Sequence, residues 1–281
     1  PLGKARYSHR SPLRDSLYPT QLEVAQLLGC SQGKISYVER GKRWPDDDLL
    51  KGMFEVYKVS ERKRAEIEAT IRAGKTIRRA WWDEPEFREV FASSKGRYPA
   101  LEDSAEKIWT HSGTYVPGLL QTQGYVEALA EFGSKDESAL FRERWVKARI
   151  LRQEVLTRRH PVILNALVLE AALHALIGGP DTMRHQLQHL RHMARRSNIT
   201  LRVIPYSAGP AAAVGASFTL FDFPGTDNHS AVHREMSSPN ADVTDDPSSV
   251  RRIRRRFTSL AEQALSPADT TLLIEKIEKA L

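Results

Sequence analysis

Gln32, Lys34, Ser36 and Tyr37 fall close together in the stretch QGKISY, residues 32 to 37, and each can exchange hydrogen bonds with the edge of a nucleobase. Gln32 and Tyr37 are the candidate base readers, with Ser36 beside them. Lys34 suits either a base or a phosphate, and Gly33, lacking a side chain, admits close approach. Gln21, Arg40, Lys42 and Arg43 lie at the flanks. There, donors to phosphate oxygens fix register without reading sequence. The charge agrees: residues 1 to 45 hold eight Lys/Arg against three Asp/Glu, so most of the net +7 lies at this end. A local positive field favours a polyanion, whose counterions are released on neutralisation; a solvated charged arm is the plainer alternative.

These residues need a rod that presents them and a corner that aims the rod. Thr20 and Glu23 form a T-x-x-E capping box, so a helix is expected from Gln21 to about Leu28. Gly29 stops it, Ser31 can cap a second helix from Gln32 to Arg40, and Gly41 can end that one. At 100° per residue, Ile35 and Val38 share one face and Gly33, Ser36, Tyr37 and Arg40 the other. Ala25 is small where the two helices would cross. Such a pair can set the N-terminal side chains of its second helix in a major groove. An interaction module that never meets DNA is the competing reading, and salt dependence separates the two.

The stretch resembles the XRE-type, lambda-repressor-like helix-turn-helix, on Gln21, Ala25, Gly29, Gln32, Ile35, Glu39, Gly41 and Pro45. The resemblance implies a five-helix DNA-binding domain and a structural pair between Arg14 and Glu39. PDDDLLKGMFEVYKV and SERKRAEIEATIRAGK then supply the closing helices, capped by Asp46 and Ser60. Pro12 and Pro19 depart from the family pattern and shorten or distort the first helix.

Past residue 76 the texture changes. Phe141, Trp145, Ala148 and Val155 mark one face of a long helix ending before Pro161. PVILNALVL, ITLRVIPY, SFTLFDF and SAVHREM read as strands, with a helix from about Asp181 to Arg196 among them. The expected fold is therefore α+β: an all-α helix-turn-helix domain over 1–76 and a mixed α/β domain over 77–281. This second region resembles the C-terminal part of a large actinobacterial family of XRE-type regulators with antitoxin-like or sensor character. The motifs are Trp81-Trp82, Leu101-Glu102, VPGLLQT (116–122), LRQEVL (151–156), LEAAL (169–173), GGPDTMRHQL (178–187) and RVIPYSAG (202–209). The resemblance implies a regulator, often encoded beside a small acidic partner protein, and no known reaction. AVHREMSS departs from it, where a more acidic strand is usual.

Other chemistry-bearing groups have plainer readings. His185, His189 and His192 have the i, i+4, i+7 spacing of a metal face, but Met183, Leu187 and Leu190 set the buried side roughly opposite, so no metal site is expected. RRIRRRF (251–257) is the exposed stripe of a helix buried through Val250, Ile253, Phe257 and Leu260, or else a contact for a DNA backbone or an acidic partner. Trp81, Trp82, Trp109 and Tyr115 either line an apolar ligand pocket or belong to the core. Cys30, the one cysteine, suits packing in the helix corner and a reducing compartment. No nucleophile elbow, phosphate loop or paired carboxylate is legible, so neither catalysis nor a cofactor is expected. With 41% hydrophobic residues and no run of eighteen, the chain reads as cytoplasmic. The expected function is sequence-specific transcriptional regulation, with the second domain sensing a ligand or protein and supporting a homodimer. The alternative is an antitoxin-like protein that sequesters a small partner and binds DNA for autoregulation. The last helix, SPADTTLLIEKIEKAL, either forms the dimer interface or closes the domain.

Overall fold

The computed structural model describes residues 20–39, 45–76, 80–91, 97–225, 230–234 and 242–281. The chain divides into two compact units, residues 1–80 and 81–281. The first is helical and the second is built on a six-stranded mixed sheet, an α+β protein.

In the first unit α1 (Gln21–Leu27) starts where the Glu23 N–H donates to Thr20 Oγ1 at 3.3 Å. It ends in a Schellman turn: Cys30 N–H reaches Ala25 O at 2.9 Å and Gly29 N–H reaches Gln26 O at 3.3 Å, with Gly29 at φ +61°. Helix α2 (Gln32–Glu39) is capped by Ser31 Oγ, which accepts the Lys34 N–H at 3.2 Å. Helix α3 (Asp47–Val56) is capped by Asp46 Oδ1 on the Leu49 N–H at 2.9 Å. It closes in a second Schellman turn, Val59 N–H to Phe54 O at 2.9 Å, in which Lys58 takes the left-handed conformation at φ +48°. Helix α4 (Glu61–Thr76) follows. Val24, Ala25, Ile35, Leu49, Phe54, Tyr57 and Val59 form the core, with Cys30 packed at its edge. The first of the five expected helices falls on residues outside those described.

The second unit opens with 3-10 turns at Trp81–Asp83 and Pro85–Phe87, then α5 (Arg97–Ser104), β1 (Lys107–Ser112), α6 (Gln123–Gly133) and α7 (Ala139–Leu151). Next come β2 (Ile163–Leu169), α8 (Glu170–His174), α9 (Gly179–Met193), β3 (Ile199–Ile204), β4 (Phe218–Asp222), β5 (Ser230–Arg234) and β6 (Asp242–Thr244). Helices α10 (Pro247–Glu262) and α11 (Pro267–Ala280) close the chain. The strand order is β3-β2-β1-β4-β5-β6. The pairs β3-β2 and β2-β1 are parallel and the remainder antiparallel, with Ile108 between Leu164 and Phe221. Leu164, Ala166 and Val168 of β2 enter one core with Met183, Leu187 and Leu190 of α9 and Ile274 and Ile277 of α11. Leu167 and Leu169 enter the other with Ile253, Phe257 and Leu260 of α10. A strand buried on both sides reads as a continuous apolar run, which is how ILNALVL is written.

Polar side chains fix the irregular parts. Glu102, 2% exposed, takes a bidentate pair from Arg152 at 2.7 and 2.8 Å. The loop 116–122 has its backbone bonded by Gln121 to Val116 O, Gln153 to Gln121 O and Gln186 to Leu120 O, each at 2.7 Å. At the outer edge of β3, Val203 N–H donates to Thr270 Oγ1 at 3.0 Å and Val203 O accepts from Leu265 N–H at 2.8 Å. There Arg202 also binds Leu265 O and Ala264 O, both at 2.7 Å.

Two strands differ from expectation. Strand β1 occupies KIWTHS, a stretch whose mixed composition hides it, and β6 has only three residues. The helix expected to run to Val155 is α-helical to Leu151 and tightens to 3-10 geometry over Arg152–Leu156, where Arg152 and Gln153 reach their partners.

Replacing Lys58 by Gly should raise stability by about 1 kcal/mol, since glycine adopts that conformation without strain, and Gly29→Ala should lower it by about 1–2 kcal/mol. Denaturant titration of the full chain checks both. His111 on β1 is fully buried: its Nε2–H donates to Val214 O at 2.8 Å, and Nδ1 has no partner. Burial, aided by the charge of Arg256, holds its pKa below the ordinary histidine value. The unfolded chain therefore binds the proton more readily. This group's stability contribution is full above about pH 6.5 and is lost as pH falls through that value. The melting temperature of the second unit should drop on acidification, and His111→Gln should flatten that drop. An equal drop in the variant would assign the effect elsewhere.

Candidate nucleic-acid interface

The helix pair α1 and α2 is held by one carboxylate. Glu39, at the end of α2, accepts from the Gln21 Nε2 of α1 at 2.8 Å and from the Tyr57 hydroxyl, just past α3, at 2.7 Å. Three segments thereby meet on the inner side of α2, and Ile35 is fully buried beneath them. Residues three apart share a helix face. Drawing Glu39 inward therefore draws Ser36 with it.

The expected outward face is corrected accordingly. Ser36, expected on that face as a base contact, is only 9% exposed. The buried side of α2 takes in Ile35 and Ser36, with Val38 and the hydrogen-bonded Glu39 half-buried beside them. Gln21, expected on a phosphate, donates one of its two amide N–H groups to Glu39. Lys34, expected at a base or phosphate, donates to Asp46 Oδ2 at 2.9 Å. That hydrogen bond, with the backbone N–H of Leu49, holds the Asp46 carboxyl below its ordinary pKa. What stays outward is Gln32, Gly33 and Tyr37, the last 52% exposed. Among the described residues, a Cβ built on Gly33 would meet nothing nearer than Ser31 Oγ at 3.9 Å. Arg14, Arg40, Lys42 and Arg43 lie outside the described residues, and with them the Arg14–Glu39 pair.

The sequence reading missed Tyr57. Its ring sits in the core with its hydroxyl turned to Glu39, a contact that no local pattern in the sequence signals.

In the second unit the four aromatics proposed as one pocket separate. Trp81 and Trp82 meet edge to face with ring centres 5.5 Å apart, and Trp81 also meets Phe87 at 5.2 Å. They roof a cavity of about 110 Å³ over Glu102 and Arg152. Trp109 is elsewhere, on β1, packed against Phe257 of α10 with its Nε1–H on Asp222 at 2.8 Å. Tyr115 stands 42% exposed in the loop after β1. Side-chain alternation on a strand separates them, since Trp109 faces the α10 core. Of the three histidines, His185 and His192 are exposed and His189 is half-buried. Burial, then the neighbouring charge of His192, depresses the His189 pKa. The last helix, α11, closes the domain through Ile274 and Ile277.

Comparison with known proteins matches residues 13–63 to a family described as helix-turn-helix and residues 96–276 to a family described as a domain of unknown function, DUF5753. No protein of curated function and no solved structure matches the chain. The head therefore carries a DNA-binding helix-turn-helix of the XRE type, and among the described residues no helix is long and apolar enough to cross a membrane.

Gly33→Leu should leave the melting temperature unchanged or slightly higher, because leucine is the better helix former and nothing among the described residues obstructs it. Its affinity for duplex DNA should fall. Unchanged affinity, read by fluorescence anisotropy, would show that no partner approaches that face.

Proposed function

The chain belongs to the DUF5753 family and carries a helix-turn-helix ahead of that domain, and from this premise we propose that it is a sequence-specific transcriptional regulator acting as a homodimer. The observation that carries the reading is the outward set Gln32, Gly33 and Tyr37 on α2, with nothing among the described residues crowding the glycine and the polar backing of the helix taken up by Glu39. A major groove about 12 Å wide admits one helix, and glutamine can bond bidentately to adenine at N6 and N7. Gln32, at the first turn, is the reader, and Tyr37, one turn further on, offers ring and hydroxyl to a neighbouring base or sugar.

One such head makes few base contacts. Twofold pairing places two heads about one helical turn apart and multiplies the discrimination, so a palindromic operator is the natural site. The second unit supplies the pairing and the control. Its cavity under Trp81 and Trp82, about 110 Å³, is well below the roughly 300–1,000 Å³ of drug-sized ligand sites.

Fragments of the native genome selected on the full chain should share an inverted repeat. Gln32→Ala should then lose discrimination at one base position, by about 1–3 kcal/mol, while binding scrambled duplex as before. An equal loss on cognate and scrambled sites would remove Gln32 as a reader.

A further inference from the structure

Helix α10 carries five arginines, at 251, 252, 254, 255 and 256, and its first acidic residue is the terminal Glu262. Its rotation is set by packing: Ile253, Phe257 and Leu260 are buried on the sheet. Arg254 is clamped to Asp222 at 2.6 and 3.2 Å and to Ser230 at 3.2 Å. Burial raises the Asp222 pKa, but bonds from Arg254, Ser230 and Trp109 outweigh it, so the clamp stays ionised. Arg251, Arg252, Arg255 and Arg256 are thereby forced outward, all exposed, and among the described residues none of the four has an ion-pair partner. Arg251/Arg255 and Arg252/Arg256 are like-charged i, i+4 pairs, an arrangement that works against the helix. A merely solvated face mixes signs, as α11 does with Lys279 on Glu275 at 2.7 Å.

Beside this stripe lies an open groove of about 410 Å³ lined by Arg251, Arg254, Arg255, Thr258, Ser259 and Glu262. It contains guanidinium forks and hydroxyls, the donors that phosphate oxygens take, and, among the described residues, no aromatic or large aliphatic side chain. Protein interfaces centre on apolar and aromatic groups, whereas nucleic-acid interfaces are polar and positive. Arg251 and Arg255 lie one turn apart, a rise of about 6 Å, so both can engage one phosphate strand. The geometry points to α10 as a second DNA contact: the arginine face grips the phosphate backbone of the duplex whose bases the head reads, without reading sequence itself. This rests on the DNA-binding reading of the head and adds that the DUF5753 domain holds the same ligand.

The test is the salt dependence of duplex binding by the full chain, on cognate and scrambled duplexes that extend well past the recognition sequence. Each phosphate contact contributes about 0.9 to the slope of log K against log salt, so Arg251→Ala/Arg255→Ala should reduce its magnitude by nearly two, equally on both duplexes. Arg251→Lys/Arg255→Lys should restore the slope, which a purely structural role would not explain, and unchanged melting confirms that the folds are intact. Gln32→Ala should keep the slope and lose selectivity. If the wild type binds with a steep slope and the double alanine variant matches it, the inference is overturned and the face belongs to another polyanion, such as an acidic protein. If the wild type binds no duplex, the DNA reading itself fails and takes this inference with it.

Discussion

Everything the head presents to a partner depends on where the Glu39 carboxylate is held. A charged group at the inner rim of α2 is tolerated only with donors around it, and Gln21 and Tyr57 provide them from two other segments. The bonds do more than close the bundle. They accompany a rotation of α2 in which Gln32, Gly33 and Tyr37 face outward while Ser36 does not. Specificity of orientation is here a polar effect laid on a small apolar core.

The second unit follows the same rule at larger scale. Its two cores are ordinary apolar layers on either side of a sheet, but the segment 116–122, which has no regular partner for its peptide groups, is fastened by Gln121, Gln153 and Gln186. Arg149 and Arg152 lie against the same region, the first on Gln121 at 3.1 Å and the second on Glu102. The stretches that carry the family resemblance, Leu101-Glu102, VPGLLQT, LRQEVL and MRHQL, are therefore four parts of one hydrogen-bonded knot. Removing Glu102 would take the bidentate carboxylate from the half-buried Arg152 guanidinium, the costly way to break such a pair.

Much of this was legible before any coordinates. The caps of α1, α2 and α3, the glycine corner and strands β2 to β5 are local signals, written in residue types whose conformational preferences dominate. Strand β1 was hidden because its inner face carries Thr110, which shares a hydroxyl contact with Thr219 at 3.2 Å, so burial there is polar and leaves no apolar run. The hold on Glu39 was hidden because it depends on a tyrosine eighteen residues away in sequence. The scatter of the four aromatics followed from a strand that the sequence left unassigned: once Trp109 is on β1, alternation sends it to the α10 side.

The fastening of β3 limits how copies of this chain can join. Val203 has both its amide hydrogen and its carbonyl oxygen occupied by Thr270 and Leu265, and Arg202 ties down the carbonyls beside them. An outside strand finds no template at that margin, which guards against edge-to-edge aggregation. Joining two sheets into one across β3 would first have to release Val203 from Thr270 and Leu265.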